Sequence, residues 1–142
     1  MRLFAATAFA CLIAAPAVAG DVVVTLNGVE ARGGDILAAL NGPDTFLRGE
    51  GAYGVRASGD VAGAITLTFE DVAPGEYALA VMHDENGDGQ MNMSPAGMPE
   101  EGFTFSNGGA LQGMPTFEAH KFTVSEDGAT LTETMIYMGA RR

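Results

Sequence analysis

The sequence is short of cysteine, tryptophan and base. Its one cysteine is Cys11, tryptophan is absent, and 7 Lys and Arg face 18 Asp and Glu, for a formal charge of −11. A lone cysteine excludes a disulfide framework and a zinc–thiolate site. The acidic balance disfavours nucleic acid as a partner, because a polyanion is repelled by such a surface. Calcium or a cationic peptide suits it better. Long apolar runs are scarce too. Leu3 to Ala15 is almost wholly apolar, but it falls short of the ~20 residues a membrane-spanning helix needs.

That run has the marks of an export signal. Arg2 precedes it, and Ala17-Val18-Ala19 after it has the small-x-small form that signal peptidase reads. Residues 1–19 are expected to be a signal peptide cut after Ala19, with Gly20 or Asp21 as neighbouring alternatives. The residues before Cys11 do not make a lipoprotein box. The mature chain, residues 20–142, is then cysteine-free and periplasmic or secreted, with no transmembrane segment. A chain of this length suits one domain held by its own core.

The mature chain reads as strands. Val22 to Asn27 is rich in β-branched residues and ends at an Asn-Gly turn. Asp35 to Asn41 fits a buried strand better than a two-turn helix cut off by Gly42-Pro43. Asp44 to Leu47 suggests a helical turn with Phe46 and Leu47 tucked inward. Glu50 to Ser58 reads as a short edge strand. In Ala64 to Phe69 the alternation is clean, with Ile65, Leu67 and Phe69 on one face and Thr66 and Thr68 on the other. Glu76 to His83 is apolar on both faces, as a central strand should be. Phe117 to Val124 and Thr130 to Met138 complete the set. Seven strands separated by turn signals indicate an all-β sandwich, with one long loop over residues 84–116.

Two stretches carry resemblances. Phe69-x-x-Val72-x-Pro74-Gly75-x-Tyr77-x-Leu79-x-Val81 resembles the strand signature of prealbumin-like and Cna-B-like sandwiches, in which Pro-Gly makes the turn and the tyrosine anchors the strand start. The segments His83 to Gly89, Gly97 to Phe103, Phe105-Ser106-Asn107 and Pro115 to Phe122 resemble the DUF2141 family of secreted bacterial proteins. The resemblance covers essentially the whole mature chain. It implies an immunoglobulin-like sandwich and no assigned activity. His120, Met93 and Met98 depart from the family pattern.

The densest chemistry lies at Asp84-Glu85-Asn86-Gly87-Asp88-Gly89, the opening of a calcium loop of the form D-x-[DN]-x-[DN]-G. By that spacing Asp84, Asn86 and Asp88 supply side-chain oxygens, Gly89 makes the sharp turn, Gln90 gives a carbonyl and Asn92 ligates directly or through water. Pro95 stands where a bidentate glutamate belongs, so Glu100 or Glu101 is expected to close the shell from further along, and the resemblance favours Glu101, which the family motif contains. From His83 to His120 there is no Lys or Arg, and a divalent cation would relieve the crowded carboxylates. A compact turn without an ion has the same composition, because Asn-Gly and Asp-Gly pairs are turn formers in their own right.

Other chemistries have less behind them. Met91, Met93, Met98 and Met114 near His83 suggest a copper carrier, or apolar plugs that pin the loop. A hydrolase would use the acidic loop and His83. Ser106 has no nucleophile-elbow context, and a strand histidine satisfied by a neighbouring carboxylate is the plainer role for His83. Phe103 and Phe105 alternate, for core packing or for stacking on a ligand. The sequence therefore points away from an enzyme. It suggests an exported module that binds a carbohydrate, a peptide or an envelope component through a calcium-type loop.

Overall fold

A computed structural model describes residues 18–139. Most of the signal segment, including Cys11, and the terminal Arg141-Arg142 pair lie outside the described residues. Eight strands form two sheets. They are β1 (Gly20–Val29), β2 (Asp35–Asn41), β3 (Tyr53–Ser58), β4 (Gly63–Val72), β5 (Gly75–Asp84), β6 (Gly102–Phe105), β7 (Lys121–Val124) and β8 (Ala129–Thr134). The smaller sheet has the order β4-β1-β8, with β1 antiparallel to β4 and parallel to β8. The larger has the order β3-β2-β5-β6, and β7 also pairs with β5. One edge of β5 is thus shared. Its first half, Gly75 to Ala78, pairs with β7, and its second half, Ala80 to His83, pairs with β6.

The strand periodicity sets the core. Val22, Val24 and Leu26 of β1 and Leu67 and Phe69 of β4 face Ile36, Ala38 and Leu40 of β2 and Leu79 and Val81 of β5, all buried between the sheets. The intervening Thr66 and Thr68 face out. Burial of each such side chain is worth roughly 1.5–3 kcal/mol, so this alternation fixes which face of each strand turns inward. Ala73 and Pro74 link β4 to β5, and the Tyr77 hydroxyl donates to the Ala73 carbonyl at 2.9 Å.

β5 is covered on its second face as well. Ala78 there joins Phe46, Phe103 and Phe105 in a smaller cluster, against which Met91, Leu111, Phe117 and Ile136 pack. This cluster holds the long segment after β5 onto the sheet.

Four sequence readings need correction. The stretch 84–116 is not one long loop, because β6 lies inside it and brings the strands to eight. Residues Glu101 to Ser106 are all buried, but Gly, Thr, Ser and Glu among them hide the apolar signal. Phe117–His120 is a helical turn, capped by the Thr116 hydroxyl accepting from Ala119 N–H at 3.3 Å, so the strand begins only at Lys121. Leu47 is half exposed, at 50%, while Phe46 is buried. The last strand ends at Thr134, and the chain beyond it crosses to β6, where Ile136 N–H donates to the Phe103 carbonyl at 2.8 Å.

Candidate functional site

The loop that leaves β5 is built around one carboxylate. Asp84 is the last residue of the strand and is buried. Its Oδ1 accepts from the N–H groups of Gly87 at 2.9 Å and Asp88 at 3.2 Å, and its Oδ2 accepts from Gly89 at 2.9 Å. The chain therefore wraps around the side chain. Gly87 and Gly89 take positive φ, +75° and +72°, a region that glycine enters without the clash a Cβ brings. These contacts satisfy backbone donors that a tight turn otherwise leaves unpaired.

The outer part of the loop is a ring of amides around Asp88. The Asn86 side-chain N–H2 donates to Asp88 Oδ2 and to Asn92 Oδ1, each at 3.0 Å. The Asn92 amide donates to Asp88 Oδ2 at 3.0 Å, and Gln90 N–H to Asp88 Oδ1 at 2.8 Å. The Asn92 amide, then the Gln90 N–H and the Asn86 amide, hold the Asp88 carboxyl below its usual range. A carboxylate whose pKa is depressed on folding contributes stability above the unfolded value, near ~3.9, and loses it as pH falls through the folded value. The ring is therefore expected to open in acid, below about pH 4, while the sandwich persists. The side-chain amide resonances of Asn86 and Asn92 followed against pH measure this, and resonances that stay fixed on full acidification would contradict it.

Glu101 closes the loop from below. It is 1% exposed, and its Oε1 accepts from Glu85 N–H at 3.1 Å while Oε2 accepts from Asn92 N–H at 3.2 Å. One buried side chain thus staples the start of the loop to its end. Glu101, expected from the sequence to close an ion shell, lies against the loop with main-chain N–H groups as its partners.

Beneath the loop lies a buried polar hub. His83 is fully buried; its Nε2 meets the Gly33 carbonyl at 2.8 Å and its Nδ1 meets the Tyr137 hydroxyl at 2.9 Å. A carbonyl only accepts, so the proton sits on Nε2, and Nδ1 accepts from the tyrosine. The phenol oxygen in turn accepts from Glu30 N–H at 3.1 Å. Burial pushes the Tyr137 phenol up, which keeps it protonated as this donor. Gly59 and Gly34 leave room for the hub: a Cβ on Gly59 would collide with the imidazole, and one on Gly34 with the Asp84 carbonyl. Arg32 lies 4.4 Å over the Tyr137 ring and pairs with Glu30 at 2.9 Å and Glu85 at 3.2 Å.

These partners decide what the candidate residues do locally. Both nitrogens of His83 are committed to the fold, to a hydroxyl and a carbonyl and not to a carboxylate. Ser106 Oγ accepts from Leu79 N–H at 2.8 Å and donates to the His120 carbonyl, while His120 Nδ1 bonds the Ser106 carbonyl at 2.7 Å. Each side chain holds the other's backbone, so serine and histidine are not aligned as nucleophile and base. Asn107 and Gly108 donate their N–H groups to Glu133. Phe103 and Phe105 are buried in the smaller cluster. Two shallow hollows, each of about 220 Å³, open at strand edges away from the loop, one beside Tyr53 and Thr68 and the other beside Thr132 and Glu133.

The methionines divide. Met91 is packed in the smaller cluster, whereas Met93, Met98 and Met114 are 55%, 48% and 84% exposed. The expectation that all of them plug the loop holds for Met91 alone. Thioether oxidation follows exposure, so limited peroxide is expected to convert Met114 first, then Met93 and Met98, and Met135, 6% exposed, last. Peptide mapping by mass spectrometry reads the order, and early loss of Met135 would contradict it.

Metal ligation is a question of which oxygens remain open. A carboxylate has about four lone-pair sites. Asp84 Oδ2 and both Glu101 oxygens accept one N–H each, and so keep capacity to face a cation. Against this, the amide nitrogens of Asn86 and Asn92 point at Asp88, and both carboxamides must turn over before their oxygens can ligate. Among the described residues no three His, Cys, Asp or Glu side chains converge as a metal centre. No described helix is long and apolar enough to cross a membrane.

A family model described as an uncharacterized protein conserved in bacteria, DUF2141, matches residues 24–132. No curated protein and no solved structure matches the chain.

Proposed function

The chain belongs to the DUF2141 family, and from that premise we propose that it is an exported, non-catalytic binding module whose binding end is the loop from Asp84 to Glu101. The observation that carries this reading is the loop itself. Two buried carboxylates and an amide ring hold it in one shape, and its outer residues, Asn86 to Gln90, stay exposed. A rigid scaffold presenting a pre-formed loop is how binding surfaces are built. Export is supported by the Arg2-to-Ala19 signal pattern and by a first strand that starts at Gly20. The Pro74-Gly75 turn and the anchored Tyr77 support an immunoglobulin-like or prealbumin-like sandwich.

Calcium is the ion this loop suits. What favours it is Gly89 at positive φ in the sixth position, with the chain already wound about Asp84. Asp84, Asn86, Asp88, the Gln90 carbonyl, Asn92 and Glu101 would hold it, with the two carboxamides turned over. Calcium accepts six to eight oxygens in a flexible shell, whereas magnesium demands an octahedron. Titration of ¹⁵N-labelled residues 20–142 tests the reading. Calcium is expected to move the resonances of Asp84 to Asn92 at concentrations where magnesium does not. Equal responses to both ions, or shifts confined to other strands, would overturn it.

A further inference from the structure

The strand edges of this sandwich are not equally protected. An edge with unpaired N–H and C=O groups is a template for a further strand, and folds blunt it with charge, bulges or a covering segment. β4 shifts register at both ends of its pairing with β1. β3 carries the exposed Arg56. β6 is covered by Ile136, which bridges Phe103. β8 ends the smaller sheet and has none of these devices. It holds no Lys, Arg or Pro, and its register with β1 is unbroken, from Val22 opposite Ala129 to Asn27 opposite Thr134.

Which backbone groups of β8 face outward follows from one bond. Met135 N–H donates to the Asn27 carbonyl at 2.9 Å, and Asn27 stands opposite Thr134. Backbone groups alternate in direction along a strand. Ala129, Leu131 and Glu133 therefore turn their N–H and C=O toward β1, and Thr130, Thr132 and Thr134 turn theirs away from it. The side chains of these three threonines are exposed, on the face opposite Leu131, which packs against the core. Beside this edge opens the hollow lined by Thr132, Glu133, Thr134, Gly108, Gly109 and Ile136. Gly109 lies outside the positive-φ region, and a Cβ there would meet nothing within 4 Å. Neither strain nor packing within this chain calls for that glycine, and it leaves room beside the edge for another backbone.

The sequence of β8 suits one occupant, a second β8. Antiparallel pairing about a twofold axis at Thr132 puts Thr132 opposite Thr132 and Thr130 opposite Thr134. That register uses every outward N–H and C=O, because alternate residues of an antiparallel ladder exchange both bonds. It sets threonine against threonine, a favourable cross-strand pair. Glu133 falls opposite Leu131, so no two carboxylates meet, and its own oxygens already accept from Asn107 and Gly108 N–H.

We infer that β8 pairs edge to edge with the β8 of a second copy of this chain, joining the two smaller sheets into one. The contact lies away from the Asp84–Glu101 loop and goes beyond the function proposed for it. It is narrow, and two acidic chains repel, so the pairing is weak and strengthens as salt screens that repulsion.

Sedimentation of residues 20–142 over a series of protein and salt concentrations tests this. Dimer is expected, in larger fraction at higher salt. Thr132→Lys should associate about tenfold more weakly or worse, since two ammonium groups then face each other at the axis, with the melting temperature of dilute protein unchanged. A second measurement uses Thr132→Cys and Thr66→Cys, both exposed on the same sheet face, treated with a short bis-maleimide. Residues 20–142 hold no other cysteine. Thr132→Cys should cross-link to a dimer, because a hydrogen-bonded antiparallel pair stands about 5.5 Å apart at Cα. Thr66→Cys, on β4, should stay monomeric. A parent that is monomeric throughout, or equal cross-linking of the two cysteine variants, would overturn the proposal. A monomeric parent that binds a free peptide of residues 129–134 would overturn the second copy and assign the edge to a strand of another protein.

Discussion

Glu101→Ala is expected to lower the melting temperature by on the order of ten degrees, one of the two largest effects of a single substitution in this protein. The side chain is 1% exposed and accepts two main-chain N–H groups, from Glu85 and Asn92. Removing it leaves two inward-facing donors without an acceptor, at about 1–3 kcal/mol each, and a small void as well. For a domain of this size about 3 kcal/mol corresponds to roughly ten degrees. Glu101→Gln keeps the shape and one acceptor but turns an N–H2 toward the other donor, so its loss should fall between parent and alanine. Thermal melting followed by circular dichroism reads both. An alanine variant that melts with the parent would mean that the staple is not what holds the loop.

Arg32→Ala is expected to cost a comparable amount, about 3–5 kcal/mol, because it strands a buried charge. The Arg32 and Glu85 side chains are each 6% exposed and 3.2 Å apart. Arg32 also covers the Tyr137 ring and reaches the Gly139 carbonyl. Without it the Glu85 carboxyl loses its cation in a place that water barely reaches. The double variant Arg32→Ala, Glu85→Ala should therefore be more stable than the sum of the two single losses indicates. Arg32→Lys should not restore the parent, since an ammonium neither forks between two carboxylates nor stacks on the ring. Denaturant unfolding of the four proteins gives the coupling energy, and strict additivity would contradict this account.

Periodicity explains how far the sequence could be read. The alternation of Ile65, Leu67 and Phe69 with threonines gave β4, and the two apolar faces of Tyr77 to Met82 gave a central β5, because burial on one face or two writes itself into every second residue. The spacing of Asp84, Asn86, Asp88 and Gly89 announced a tight loop after β5, as a calcium loop or a compact turn; that the chain winds about the Asp84 carboxylate was visible only in the fold. β6 was not legible. Four residues hold no measurable period, and its neighbours Glu101 and Ser106 are polar side chains buried by partners far along the chain. The hub was hidden for the same reason. His83 meets Tyr137 and Gly33, contacts that only the folded sheet brings together. The base that balances Glu85 comes from the β1–β2 turn, so a scan for charge within the loop itself could not find it. In the Ser106–His120 pair each side chain serves the other's backbone, a geometry that sequence neighbours do not reveal.

The most direct test of the central claim is the melting temperature of residues 20–142 in EDTA and in calcium, beside Asp88→Ala. Asp88 is exposed, so this variant removes a proposed calcium ligand without opening the core. At one hundred times its dissociation constant, an ion bound by the folded state alone adds about 2.7 kcal/mol, or on the order of ten degrees for this domain. The account predicts that rise for the parent and its loss in Asp88→Ala. Equal melting in EDTA and calcium would contradict it and leave Asp84 to Gly89 as a turn held by its own hydrogen bonds.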